Sequence, residues 1–260
     1  MENKWLENFK SSDSFIFQLE QDVKMFLYLD SVLCKRIYNG FELDEIQFLK
    51  SILKPGDVFI DIGANIGLFS LIASNIVGED GLVYAYEPTP KIFSRLERNI
   101  LLNKYKNVKI KNIGLSDKKG TLNLQVSQNG FDAWNTFATA ENNKFQESIP
   151  VTVSTIDDEF RDIEKDKIKF IKIDVEGWEK FVLLGGKSFF EVYSPVVMVE
   201  FTETNTFDAG YFVQEIYDIM DDFGYAWFRY KDGQLIPEKK KLHYPYDNLI
   251  AKKLSGSENG

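Results

Sequence analysis

Val58-Phe59-Ile60-Asp61-Ile62-Gly63-Ala64-Asn65-Ile66-Gly67-Leu68-Phe69-Ser70 is the stretch that decides the fold. A mostly apolar strand runs into a glycine-containing turn, and an apolar helical segment follows at once. A strand of this kind belongs inside a parallel sheet whose two faces are covered by helices. Gly63 lacks a Cβ, so backbone there can approach a ligand, and Gly67 lets the helix start pack closely. The Gly-x-x-x-Gly spacing departs from Gly-x-Gly-x-x-Gly, which disfavours a dinucleotide pyrophosphate cradle. Asp61 ends the strand where a carboxylate can meet a cationic group.

Outward from this stretch, strand-like and helix-like segments alternate. Val58–Ile62 precedes Leu68–Val77, Leu82–Tyr86 precedes Lys91–Asn103, and Val108–Ile113 follows. Ile168–Val175 then precedes Glu179–Gly185, and Val196–Phe201 precedes Phe212–Phe223. This pattern predicts a parallel α/β sheet, closed by an antiparallel pair at Tyr225–Tyr230 and Asn248–Lys252. Thr121–Val126 and Val151–Ser154 read as strands flanking a polar insertion at about 121–154. Upstream, Lys54-Pro55-Gly56-Asp57 stops a helix and turns the chain. Residues 1–54 read as a helical N-terminal extension, with mixed apolar spacing over Glu20–Ile37 and one apolar face over Asp44–Leu53. Residues 55–254 then form one domain, and the small polar residues 255–260 a frayed tail.

Composition narrows the function. Hydrophobic residues make up 44% and charged residues 27%, the balance of a soluble globular chain. No signal peptide or membrane span is indicated, and the single Cys34 fits a reducing, cytoplasmic setting. A formal net charge of −9 repels phosphate backbones, and Lys239–Lys241 is too small a basic run to offset it. Nucleic acid is therefore disfavoured and a small-molecule or glycan acceptor fits better. A homo-oligomer is allowed but not specified.

The second strand ends in Tyr84-Ala85-Tyr86-Glu87-Pro88, which puts a carboxylate 26 positions after Asp61. An acid at that strand end can accept hydrogen bonds from ribose hydroxyls. Ile113-Gly114-Leu115-Ser116-Asp117 ends the third strand and can line an adenine with backbone groups. With Lys54-Pro55-Gly56-Asp57, Asp61–Gly67, Tyr38-Asn39-Gly40-Phe41-Glu42 and Lys172-Ile173-Asp174-Val175-Glu176-Gly177, these motifs stand in the order and spacing of FkbM-family methyltransferases. The resemblance covers about residues 35–203. It implies a Rossmann-like class I methyltransferase fold: a mostly parallel seven-stranded sheet with an antiparallel final strand. It also implies S-adenosyl-L-methionine as cofactor and, commonly, O-methylation in glycan or natural-product pathways. By the same resemblance Asp61, Gly63, Asn65 and Gly67 hold the methionine end, Glu87 the ribose and Leu115 the adenine edge, with Asp174 beside the donor.

Methyl transfer from a sulfonium is an in-line displacement, so the acceptor oxygen must be aligned and relieved of its proton. Asp174 and Glu200 both end strands, where open α/β sheets bind their ligands. Lys172 shares a strand face with Asp174 and is a candidate base or acceptor-positioning group. His243, the only histidine, is a candidate base, and with Asp174 and Glu200 it would make a ligand set for a divalent metal. Glu176 is expected either to contact the acceptor or to cap the next helix. Asp132, Trp134 and Asn135, within the insertion Ser127–Phe137, combine a ring with groups that read sugar hydroxyls. A nicotinamide oxidoreductase lacks support, since the third fingerprint glycine is missing and Asp174-Val175-Glu176-Gly177 is present. A binding module that has lost its chemistry is opposed by the retention of Asp174 and Glu200.

Overall fold

Val58–Ile62 needs cover on both faces, and in the structure all five of its residues are buried. The structure is a computed structural model that describes residues 2–127, 130, 132–138, 145–161, 163 and 168–254. The expected tail, 255–260, and parts of the insertion, Gln128, Asn129 and Phe131, lie outside the described residues.

A helix at Glu2–Glu7 leads into an antiparallel hairpin, β1 (Ser14–Glu20) and β2 (Val23–Tyr28). Helices at Val32–Tyr38 and Leu43–Ile52 precede β3 (Val58–Ile62), the helix Leu68–Val77 and β4 (Leu82–Tyr86). The helix Pro90–Asn103 then leads to β5 (Val108–Lys111). β6 (Gly114–Leu115), β7 (Gly120–Ser127) and β8 (Phe145–Ser154) form a separate sheet in the order β6-β8-β7. β9 (Ile168–Ile173) is followed by helices at Glu179–Leu184 and Lys187–Tyr193. After β10 (Val196–Phe201) come helices at Glu203–Asp208 and Gln214–Asp222. β11 (Tyr225–Lys231), β12 (Gln234–Pro237) and β13 (Asp247–Lys253) end the fold.

The main sheet runs β12-β11-β13-β10-β9-β3-β4-β5. From β10 to β5 every pairing is parallel, and β13 lies antiparallel between β10 and β11. This is the expected sheet with its inverted final strand, and β12 adds an eighth strand at the edge. Alternate residues feed two cores: Phe59 and Phe170 belong to one, Ile60 and Ile171 to the other. The chain proceeds outward from β3 through β4 to β5, then returns to lay β9 on the opposite side of β3. The crevice at the carboxyl ends of β3 and β9 is thus the switch point at which such sheets bind ligands. Among the described residues no helix is long and apolar enough to cross a membrane.

The N-terminal expectation needs correction. Glu20–Ile37 is not one helix; it holds the end of β1, all of β2 and the helix Val32–Tyr38. Val23, Met25 and Leu27 alternate at strand spacing and are fully buried. Phe26 and Tyr28, interleaved with them, masked the period of two. Asn99 fastens this hairpin to the domain: its Oδ1 accepts from the Phe26 N–H at 2.7 Å, and its Nδ2 donates to the Ile66 carbonyl at 2.8 Å.

Candidate active site

The turn after β3 is shaped by close contacts. Gly63 has φ +85°, and a Cβ there would lie 1.8 Å from the Asp174 carbonyl oxygen. The close approach that Gly63 serves is therefore to protein backbone as well as to the crevice. Gly67, at φ +96°, would bring a Cβ to 2.7 Å from Leu96 Cδ1, so its hydrogen lets the helix Leu68–Val77 sit against Pro90–Asn103. Asn65 between them is left-handed at φ +49°, and its N–H donates to Glu87 Oε2 at 3.0 Å. The Thr89 N–H donates to Glu87 Oε1 at 2.8 Å. Glu87 is thus fixed by backbone, and a carboxylate still offers further lone pairs to a ligand.

Gly63, Asn65, Glu87 and Thr89 line a cavity of about 540 Å³ that also contains Asp61, Leu115, Trp134, Asn135, Lys172, Asp174, Glu176 and Glu200, whereas Gly67 lies outside the lining and serves the packing of the helices. Sequence-distant candidates are therefore brought together. Asp61 is 1% exposed, and its Oδ2 accepts from Ser70 Oγ at 2.6 Å. Burial pushes its carboxyl up to about 6, against the pull of Lys172 and Ser70. Trp134 stands at the cavity's edge, and the Asn135 amide donates to Thr89 Oγ1 at 3.1 Å. Asp132 opens the short 3-10 turn Asp132–Trp134, and its side chain lies outside what is described.

Lys172, expected as a base or an acceptor-positioning group, lies among carboxylates. Its Nζ is 2.5 Å from Asp174 Oδ2 and 4.7 Å from the centre of the Phe69 ring. Burial disfavours its charge, but the carboxylates of Asp174, Glu42 and Asp61 outweigh that and hold the ammonium above its usual range. A cation so enclosed by acids is a poor proton acceptor; it organises the carboxylates instead. His243 is not brought into the cavity. Its imidazole is 80% exposed and faces Glu203, Nδ1 to Oε2 3.4 Å, so it joins neither Asp174 nor Glu200.

Glu176 takes the place expected for His243. One oxygen each from Asp174, Glu176 and Glu200 lie within 4.8 Å of one another. Capping of the turn falls to Glu179, whose Oε1 accepts from the Val175 and Gly177 N–H groups at 3.0 and 3.2 Å. Glu176 is thereby released to face Asn205, whose amide donates to its Oε2 at 2.7 Å. Burial, then Asp174 and the neighbouring glutamates, push both Glu176 and Glu200 well above the usual carboxylate range. Two further residues reach the cavity from opposite ends of the chain. Glu42 sits at φ +52° with its Oε1 accepting from Tyr246 Oη at 3.4 Å, and both line the acid-rich end. The run Tyr38–Glu42 is distinctive in sequence, yet nothing local to it announces a position opposite Lys172.

A family model described as the methyltransferase FkbM domain matches residues 61–226. Methyltransferase sdnD of Sordaria araneosa is 29% identical over 196 residues, 64% of this chain and 74% of that protein. Hexuronic acid methyltransferase AglP of Haloferax volcanii is 30% identical over 146 residues, so the match spans 55% of this chain and 56% of AglP. A solved structure from Clostridium thermocellum, provisionally assigned as an rRNA-methylase, has a TM-score of 0.51 at 10% identity. It covers 81% of this chain and 94% of its own, and at that identity the likeness is one of fold.

Proposed function

The chain belongs to the FkbM family of S-adenosylmethionine-dependent methyltransferases, and on that premise we propose that it methylates a sugar hydroxyl in a nucleotide-linked sugar, capsule or other glycan precursor. The observation that carries this reading is a single cavity with two chemically distinct ends. At one end Glu87 and Leu115 suit the nucleoside of the donor, and Asp61 with Asn65 suits its methionine portion. At the other, Asp174 and Glu200 flank the space left for an acceptor, with Trp134 and Asn135 at the rim. A ring beside amides and carboxylates is equipment for a sugar, which offers an apolar face and a fringe of hydroxyls. AglP, by name a hexuronic acid methyltransferase, supports the same class.

In the reaction an acceptor oxygen lone pair forms the C–O bond as the C–S bond breaks. Sulfur keeps that electron pair, and the donor leaves as S-adenosylhomocysteine. The hydroxyl proton passes to the Asp174–Glu200 pair or to solvent, and a positioned acceptor of this kind is worth about 10²–10⁴ in rate. A second acceptor class, a hydroxyl of a non-sugar natural product, is favoured by the apolar stretch of the lining at Val32, Leu33, Phe41 and Leu124.

Isotopically labelled methyl donor, offered with nucleotide-linked hexoses, hexuronic acids and hydroxylated polyketides in parallel, separates the two. Label on a sugar hydroxyl, located by NMR, is the expected result. Trp134→Ala should then raise the KM for the sugar about tenfold and leave donor affinity unchanged, the scale of one ring contact. Label entering only the polyketide hydroxyls would reject the sugar.

A further inference from the structure

The acid-rich end of the cavity carries more unmatched oxygen than methyl transfer by itself requires. Glu200 is only 7% exposed, and its Oε2 has no hydrogen-bond partner. Thr202 Oγ1, one residue past the end of β10 and on the same cavity wall, is also buried without a partner. Oδ1 of Asn248, which pairs with Glu200 across β10 and β13 behind the cavity wall, is likewise unpartnered and so gives Glu200 no hydrogen bond. A buried acceptor left bare costs free energy, so such atoms point to something that binds them.

Apart from the Thr202 hydroxyl, which can both donate and accept, the nearby nitrogen donors are already engaged. The Lys172 ammonium lies on Asp174, the Asn205 amide on Glu176, and the Asn248 amide on Glu45 and Tyr246. What faces the space between Asp174, Glu176 and Glu200 is therefore oxygen. An oxygen-only set, with neither imidazole nor thiolate, matches hard divalent cations and not zinc or copper. The spacing agrees: the three ligand oxygens lie within 4.8 Å of one another. An ion about 2.1 Å from each ligand holds neighbouring oxygens about 3 Å apart and opposite ones about 4.2 Å apart, so the three carboxylates need only close slightly around it.

We infer that Asp174, Glu176 and Glu200 hold a divalent cation, Mg²⁺ or Mn²⁺, at the acceptor end of the cavity. The ligand set differs from the one anticipated in sequence, since Glu176 stands where His243 was expected. Binding of the ion needs no assumption about the reaction; only its purpose rests on the methyl-transfer reading. That purpose is electrostatic. Without the ion, a wall of carboxylates repels an anionic acceptor such as a uronic acid or a sugar phosphate. With it, the wall attracts oxygen ligands, and a hydroxyl beside the ion loses its proton more readily.

The test uses the whole chain, freed of metal by chelation, with Mn²⁺ as the probe and no methyl donor or acceptor present. Electron paramagnetic resonance of free Mn²⁺ should report one tight site per chain. Glu200→Gln and Glu176→Gln should each weaken it at least tenfold, while affinity for S-adenosylmethionine shows that both variants are folded. Glu203→Gln, at a half-buried carboxylate outside the cavity lining, should leave the site unchanged. Three results would overturn the inference: no site tighter than millimolar, a tight site indifferent to both cavity variants, or Mn²⁺ expelled by saturating S-adenosylmethionine. The last would mean that the acids serve the donor's own cation. Methyl transfer that persists in chelator with no Mn²⁺ site would remove the ion and leave the proposed function standing.

Discussion

Asp61 shows how one residue can be held against its own preference. Its carboxyl lies inside the sheet with Ser70 and the field of Lys172 as support, and burial still raises its pKa from 3.8 to about 6. The folded protein thus binds this proton more tightly than the unfolded chain does. The group costs nothing below the unfolded value of 3.8, and the cost is complete once pH has risen through about 6. Asp61→Asn should therefore make the ligand-free protein more stable at pH 7.5, by about 1–3 kcal/mol, since one pKa unit is worth roughly 1.4 kcal/mol. By pH 5 that gain should fall to roughly half, as most of the folded wild-type protein is then already protonated. The same substitution should weaken S-adenosylmethionine binding tenfold or more, if the carboxylate meets the donor's cation. Urea unfolding at the two pH values, with calorimetry of donor binding, checks both halves. A less stable variant at pH 7.5 would show that Ser70 and Lys172 already repay the burial.

At the scale of elements, the join between β3 and β9 decides where the cavity lies. Gly63 and Asp174 meet backbone to backbone, and the Asp174 N–H donates to the Ile62 carbonyl at 3.0 Å. Gly63→Ala should force this join apart and cost about 3 kcal/mol or more, because a rigid carbonyl has no easy escape. Gly210→Ala is the matched control: its φ is +84°, but nothing lies within 4 Å of the added carbon. It should cost only the left-handed backbone strain, roughly 1–2 kcal/mol. Equal urea midpoints for the two variants would show that the crowding at Gly63 is relieved by a small shift. The strand-turn-helix was legible because its apolar run and its two glycines are contiguous in sequence, although the contacts that fix the turn reach Glu87, Leu96 and Asp174. β1 and β2 were not, because the helix reading weighed local apolar content above an alternation that matters only once another surface covers it.

Among the described residues the main sheet divides two large cores, a smaller cluster lies under β7 and β8, and the N-terminal segment belongs to one of the large ones. Trp5, Val23, Met25 and Leu27 share a buried cluster with Phe59, Ile72 and Leu96 of the sheet and its helices. Removing residues 1–54 would expose that face, so the fragment 55–254 should show no cooperative thermal transition by circular dichroism. A folded, monomeric fragment would instead make the N-terminal segment a separable extension. The sequence by itself determined the parallel sheet, the inverted last strand and the glycine turn after β3, since alternating apolar strands and a Gly-x-x-x-Gly turn carry that information locally. It also marked Asp61, Glu87, Asp174 and Glu200 as strand-end acids, because a strand's carboxyl end is readable wherever an apolar run stops. Only the tertiary structure decided which of these groups meet. Glu42 and Tyr246, 204 positions apart, arrive at one wall, and Glu179 takes the cap that frees Glu176. Lys172 keeps its proton because three carboxylates from separate segments surround it, and His243 turns away toward Glu203. Such outcomes follow from strand order, register and competition for hydrogen bonds between segments far apart in the chain, none of which leaves a trace in the residues nearby.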